Sequence, residues 1–155
     1  MPGRPRRDTD PFGDDGDGMR LVTGGGAVGD ALRAVCLHLR REGIAQALVE
    51  DAAIVLAEVL NNIEEHAYAG RGGQPVRLDL RVCEGAVHCV VEDLGLPLPD
   101  GALPGERMPP ANPATPESWP EGGFGWAIVR RLTRDLSYAS EGGRNRLCFC
   151  VSGRT

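Results

Sequence analysis

The feature that most constrains the fold is residues 44–68, a segment with the composition of an amphipathic helix and with no proline or glycine. One apolar row repeats at every fourth position and predicts a buried face: Val55, Val59, Ile63 and Ala67. A second row has the same spacing and lies about 100° around the helix: Glu58, Asn62 and His66. The segment therefore predicts a long helix that carries three polar side chains at the rim of a buried stripe.

The chemistry of the polar row suggests more than a structural helix. A carboxylate and a carboxamide one turn apart suit a hard cation and an activated water or hydroxyl. His66 is interpreted as a residue that orients the row through a hydrogen bond rather than as a catalytic group. The row alone leaves open a solvated helix face.

Composition narrows the class of protein. The 155 residues form one domain with a real core, and a net charge of -5 argues against direct nucleic-acid binding. All 17 basic residues are arginines, which excludes a P-loop lysine and Schiff-base chemistry. The sequence has no apolar run of membrane-spanning length and no signal-peptide apolar region, so we expect a cytoplasmic protein without membrane contact.

The pattern along the chain predicts an α+β fold. Residues 1–18, rich in Arg, Asp and Gly, are expected to be a disordered tail, and 19–155 to be one domain. Periodicity predicts helices at 27–41, 44–68 and 124–134 and strands at 19–23, 76–83, 86–92, 136–140 and 146–152. We expect a two-layer sandwich with the helices on one face of a largely antiparallel mixed sheet. Residues 94–122 hold eight of the twelve prolines and are expected to form a lid.

A glycine motif near the N-terminus is not interpreted as a cofactor site. Gly24, Gly26 and Gly29 satisfy the GxGxxG pattern. A dinucleotide-binding unit would next require a second parallel strand that ends in an acid, but the sequence there continues as helix. These glycines are expected to form a turn and a helix entry.

Two further motifs frame the expected lid. Asp93 ends an apolar strand and is followed by Gly95 and Pro97. The carboxylate is suited to accept a hydrogen bond from an exocyclic amine, and the glycine to let a planar base approach the backbone, although the motif by itself also fits a simple turn. After the lid, Gly122, Gly123, Phe124 and Gly125 open into a helix, where backbone N–H groups and the helix dipole favour an anion.

The order of these motifs, from about residue 19 to residue 151, resembles the histidine-kinase-like (GHKL, Bergerat-fold) ATPases, and more narrowly the anti-sigma factor serine/threonine kinases. The resemblance implies a Bergerat ATP-binding fold with ATP and Mg²⁺ as cofactors and 94–122 as the ATP lid. It implies Glu58 as general base, Asn62 as Mg²⁺ ligand, Asp93 as the acceptor for the adenine amine and Gly95 as a contact under the base. It also places His66 and Pro97 beside the nucleotide, and the phosphates at the motif Gly122, Gly123, Phe124 and Gly125.

The resemblance further implies a function. The chain is expected to be an ATP-dependent serine/threonine protein kinase and anti-sigma factor. It is expected to phosphorylate an anti-anti-sigma (STAS-type) protein and to bind a sigma factor. The resemblance also suggests a homodimer. A second hypothesis is a nucleotide-gated binding module that sequesters a regulator without phosphorylating it. A histidine-kinase catalytic domain is disfavoured, because the sequence contains no helix pair with a phospho-accepting histidine.

Overall fold

The computed structural model describes residues 11–12, 18–104 and 124–153. In chain order the elements are strand β1 (Met19–Val22), helices α1 (Ala27–Arg41) and α2 (Gln46–Asn62), a π turn (Ile63–Ala67), strands β2 (Pro75–Cys83) and β3 (Ala86–Asp93), a short 3-10 turn (Pro99–Gly101), helix α3 (Phe124–Leu132), and strands β4 (Arg134–Glu141) and β5 (Arg144–Val151). The predicted order of helices and strands is confirmed.

The strands form one sheet in the order β1-β2-β3-β5-β4. Each neighbouring pair is antiparallel, so the part of the chain that the structure describes contains no parallel pairing and the sheet is not mixed. The predicted α+β sandwich is otherwise confirmed. Two hairpin turns fix the registers of β2 with β3 and of β4 with β5. Each turn has two residues with positive φ, as type I′ turns require: Glu84 and Gly85 in one, Gly142 and Gly143 in the other.

The helical layer packs on one face of this sheet. Helix α1 buries Ala31, Val35 and Leu39, which follow the helical period. It ends at Arg41, and Gly43, whose φ is +78°, supplies the left-handed residue of a helix stop. Helix α2 is the central element, with Val55 and Leu56 fully buried; burial of one such side chain contributes about 1.5–3 kcal/mol. The helix therefore holds its polar row in a fixed position relative to the sheet.

The end of α2 differs from the continuous helix predicted for residues 44–68. The α-helix begins at Gln46, ends at Asn62 and widens into the π turn Ile63–Ala67. Val55, Val59 and Ile63 are buried as predicted. Helix α3 also ends two residues before the predicted boundary, because Arg134 begins β4.

Among the described residues of the N-terminal segment, one side chain is packed against the domain. Phe12, in the expected disordered tail, is buried, and the guanidinium of Arg144 lies 5.8 Å from the centre of its ring. Arg144 Nη2 also donates to the Phe12 carbonyl at 3.0 Å. Phe12 is therefore a buried side chain within the segment that was expected to be a disordered tail.

Most of the expected lid, residues 105–122, lies outside the described residues. Within the described ranges, no helix has both the length and the apolar character of a membrane span.

Candidate functional site

A cavity of about 340 Å³ opens between the end of α2, the segment after β3 and helix α3. Its floor is apolar and comes from α2 and the sheet, with Val59, Ile63, Val91 and Leu147 among the lining residues. Polar groups of the sequence motifs stand at its wall: Asn62, His66 and Asp93. An apolar cavity with a few fixed polar groups is the usual form of a small-molecule site.

Asp93 is the buried polar group at the back of this cavity. It is the last residue of β3 and is 5 % exposed. Its Oδ1 accepts hydrogen bonds from the Gly95 backbone N–H at 2.9 Å and from Asn145 Nδ2 at 2.8 Å. Burial raises the pKa of Asp93, and these two hydrogen bonds oppose the rise. Because both bonds fall on Oδ1, neither engages Oδ2.

Asn145 is a site residue that the sequence analysis did not single out. It lies opposite Asp93 in the register of β3 and β5 and is 2 % exposed. Besides Asp93, its Nδ2 donates to the carbonyls of Gly95 at 3.0 Å and Leu96 at 3.3 Å. The strand pattern contained a signal, because residues 145, 147, 149 and 151 share the inward face and Asn145 is the polar one.

Two tyrosines hold the segment after β3. The Tyr68 hydroxyl donates to the Pro75 carbonyl at 2.6 Å and accepts from the Leu94 N–H at 2.7 Å. Burial raises the pKa of Tyr68, so this phenol keeps its proton. The Tyr138 hydroxyl accepts from the Leu98 N–H at 2.9 Å. Residues 94–98 are therefore fixed to the π turn on one side and to β4 on the other.

Gly95 has a packing role that the sequence analysis did not single out. A methyl group placed on its Cα would lie 2.4 Å from the carbonyl oxygen of Ala67, which is inside van der Waals contact. The same carbonyl accepts from the Leu96 N–H at 2.8 Å. The glycine is thus required by close packing against the end of the π turn, whereas approach of a planar base to its backbone was expected.

Glu58 and Asn62 meet the start of α3. A methyl group on Gly125 would lie 2.6 Å from Glu58 Oε2 and 3.7 Å from Asn62 Nδ2. The carboxylate and the amide therefore stand together at a helix N-terminus, where the dipole favours negative charge. Gly125 lacks a side chain because Glu58 occupies that space, and not only to expose donors to a phosphate as expected.

The remaining predicted residues divide between the cavity and the undescribed part. His66 and Pro97 line the cavity, and both are exposed. Gly122 and Gly123 lie outside the described residues, as does the side chain of Phe124. Among the described residues no hydrogen bond joins His66 to Glu58 or Asn62, so its orienting role stays a prediction.

The described residues offer few protein ligands for the expected Mg²⁺. No group of three or more His, Cys, Asp or Glu side chains in the described ranges is placed to hold a metal ion alone. Mg²⁺ commonly takes only one or two protein ligands, together with phosphate oxygens and waters. Asn62 Nδ2 is buried and has no hydrogen-bond partner among the described residues. This nitrogen is a donor and suits a phosphate oxygen, whereas Mg²⁺ would be bound through Asn62 Oδ1. The donor set fits Mg²⁺ held jointly with phosphates.

Other candidates from the sequence take structural positions. Gly24, Gly25 and Gly26 all have positive φ and form the turn into α1, as expected. The five cysteines are free. Arg130 donates from Nη2 to the Pro104 carbonyl at 2.6 Å, and it therefore joins α3 to a residue of the expected lid.

Comparison with known proteins agrees with this geometry. Residues 26–151 match the model of the histidine kinase-like ATPase domain, a span that includes Glu58, Asn62, Asp93, Gly125 and Asn145. No curated protein matches the sequence significantly. Since the match covers most of the chain, with the cavity at its centre, the chain belongs to the histidine kinase-like ATPase domain family.

Proposed function

We propose that the chain is an ATP-dependent serine/threonine protein kinase that acts in bacterial partner switching. The observation that carries the proposal is the meeting of Glu58 and Asn62 with the start of α3, beside a cavity that both Asn62 and Asp93 line. An acceptor for a purine amine and a helix N-terminus suited to phosphate thus belong to one site. This arrangement suits a nucleoside triphosphate.

The chemistry follows from the position of each group. The base occupies the apolar cavity and Asp93 Oδ2 accepts from its amine, while the phosphates extend towards the N-terminus of α3. Glu58 accepts the proton of the attacking hydroxyl as the oxygen–phosphorus bond forms and the bond from the γ-phosphorus to ADP breaks. Asn62 would hold Mg²⁺, which supplies charge neutralisation on the phosphates.

The protein partner is part of the proposal. We place the chain in the cytoplasm with an anti-anti-sigma (STAS-type) protein as acceptor and a sigma factor as the alternating partner, with a possible homodimer. The presence of a base candidate next to a metal-ligand candidate favours catalysis over binding alone. Incubation with γ-labelled ATP and a purified STAS-type protein tests this, and label should appear on a serine or threonine of the partner. Nucleotide-dependent capture without label would favour the second candidate, a nucleotide-gated binding module.

Replacing Asn62 with alanine is expected to weaken the Mg²⁺-dependent part of ATP binding. The side chain supplies the amide ligand of the proposed Mg²⁺. Loss of a group that supports a metal site typically costs 10- to 100-fold in metal affinity, and we expect a loss of about tenfold. Calorimetry with Mg²⁺ and with EDTA separates the metal-dependent part. Asn61→Ala is the matched control, because Asn61 is exposed on the same helix. Equal Mg-ATP affinity in the parent and the Asn62→Ala protein would remove Asn62 from the site.

Replacing Asp93 with asparagine is expected to weaken ATP binding by roughly 10- to 100-fold, the range of a hydrogen bond to a charged group. The amide oxygen can keep both bonds on Oδ1, but a donor replaces the acceptor Oδ2. Folding raises the pKa of Asp93, so the ionised carboxylate costs stability as the pH rises through its folded-state pKa. The substitution should therefore not lower the Tm at pH 7. Calorimetry with ATP and GTP measures the effect, with Asp51→Asn as control. If the Asp93→Asn protein discriminates between ATP and GTP as well as the parent does, Asp93 is only a turn residue.

A further inference from the structure

Asn145 sits between the cavity and the β4–β5 hairpin. It is almost fully buried, and both ends of its amide are hydrogen bonded. Nδ2 faces three oxygens, those of Asp93, Gly95 and Leu96, at 2.8–3.3 Å. Oδ1 accepts from the Ser140 hydroxyl at 2.7 Å. A reversed amide would place an oxygen against three oxygens and a nitrogen donor against a hydroxyl, so the contacts define one orientation.

Because of this orientation, the two carboxylate oxygens of Asp93 differ in their hydrogen bonds. Oδ1 receives one hydrogen bond from Asn145 and one from Gly95, which stop the carboxylate from rotating about its last bond. Neither of these bonds reaches Oδ2. A ligand in the cavity therefore meets a carboxylate of fixed direction with a single oxygen to offer.

We infer that Asn145 is a positioning residue that sets base specificity: by occupying Asp93 Oδ1 it leaves one acceptor, which suits adenine and disfavours guanine. The inference rests on the proposed ATP function and adds the residue that selects the base.

The two purines differ in the edge that would face Asp93. Adenine presents one amine beside a ring nitrogen that accepts, so a single carboxylate oxygen satisfies its donor. Guanine presents a ring N–H and an amine side by side, a pair of donors that a free carboxylate satisfies with both oxygens. When Oδ1 is engaged, one guanine donor is buried without a partner in an apolar cavity, which costs affinity.

The principal test is the ratio of ATP to GTP affinity in the Asn145→Leu protein. Leucine keeps the branched shape of asparagine but removes one of the two donors to Oδ1, so that only the Gly95 N–H still restrains the Asp93 carboxylate. We expect the ratio, measured by competition against a fluorescent ATP analogue, to fall roughly 10- to 100-fold. Arg146→Gln is the matched control, because this neighbour on β5 is exposed and lies on the other face of the strand; its ratio should equal that of the parent.

A second variant keeps the inference testable where Asn145→Leu does not fold. Ser140 lies on edge strand β4 and is exposed, so Ser140→Ala preserves the core while it removes the donor that orients Asn145 Oδ1. The loss of one neutral hydrogen bond predicts about a fivefold fall in the ratio.

The outcomes separate this inference from the proposed function. A parent protein that binds neither nucleotide contradicts the proposed function. If the parent prefers ATP and Asn145→Leu weakens both nucleotides equally, Asn145 is only structural and the inference is overturned while the function stands. An unchanged ratio in Ser140→Ala, where Asn145→Leu is unfolded by circular dichroism, overturns it as well.

Discussion

Replacement of Glu58 with glutamine is expected to reduce phosphoryl transfer by about 10²- to 10⁴-fold, the usual contribution of general base catalysis. Glutamine keeps the size of the side chain and its contact with the start of α3, but it removes the proton-accepting carboxylate. ATP affinity should stay within a few-fold of the parent, because the proposed contact with the base is made by Asp93 and not by Glu58. Transfer to the partner protein in single-turnover assays and ATP affinity by calorimetry give the two numbers.

A matched control and a contradictory outcome make this experiment decisive. Glu65→Gln changes an exposed carboxylate in the π turn, and its transfer rate should equal that of the parent. Transfer at the parental rate in the Glu58→Gln protein would exclude Glu58 as the base, although the ATP site would stand. A parent protein that shows no transfer but captures a partner when ATP is bound would favour the binding module.

Replacement of Gly95 with alanine is expected to lower the free energy of unfolding by about 3 kcal/mol, the upper end of the usual cost of overpacking. The added methyl would lie 2.4 Å from the Ala67 carbonyl oxygen and 2.6 Å from its carbon, and these are backbone atoms that no rotamer change can move. The Tm should fall by roughly 6–12 °C for a chain of this size. ATP affinity should fall too, since residues 94–98 form one wall of the cavity.

Thermal denaturation of the apo protein measures the stability effect. Gly72→Ala is the control, because the methyl there would lie 3.7 Å from the Thr23 carbonyl oxygen, an ordinary contact. A Tm for Gly95→Ala within a degree of that control would mean that the segment after β3 moves freely away from the π turn.

The fold was predictable where sequence period and backbone conformation determine it. The four-residue spacing of Val55, Val59 and Ile63 predicted the buried face of α2, and strict alternation predicted β2. The pairs Glu84–Gly85 and Gly142–Gly143 lie between alternating segments, and both are the type I′ turns that join the strands. Each of these signals is local, and so it is visible without knowing what packs against it.

The site was less predictable because its contacts join residues far apart in sequence. The Tyr68 hydroxyl reaches Leu94, and Asn145 reaches Asp93 across 52 positions. The π turn at Ile63–Ala67 has no signature in the helical period, and it places the Ala67 carbonyl against Gly95. The structure adds a packing reason for Gly95 and Gly125, because each glycine makes room for a neighbouring protein group, and their expected contacts with the nucleotide stay predictions.

The continuous element from Glu58 to Ala67 has a consequence for ligand length. Glu58 stands at the start of α3, and Ala67 contacts Gly95 and Leu96 in the segment after β3. The two residues are nine positions apart along α2 and the π turn. One stiff element thus sets the separation between Glu58 and the segment after β3. For the proposed nucleotide site, this separation fixes the distance that a bound nucleotide has to span between its base and its terminal phosphate.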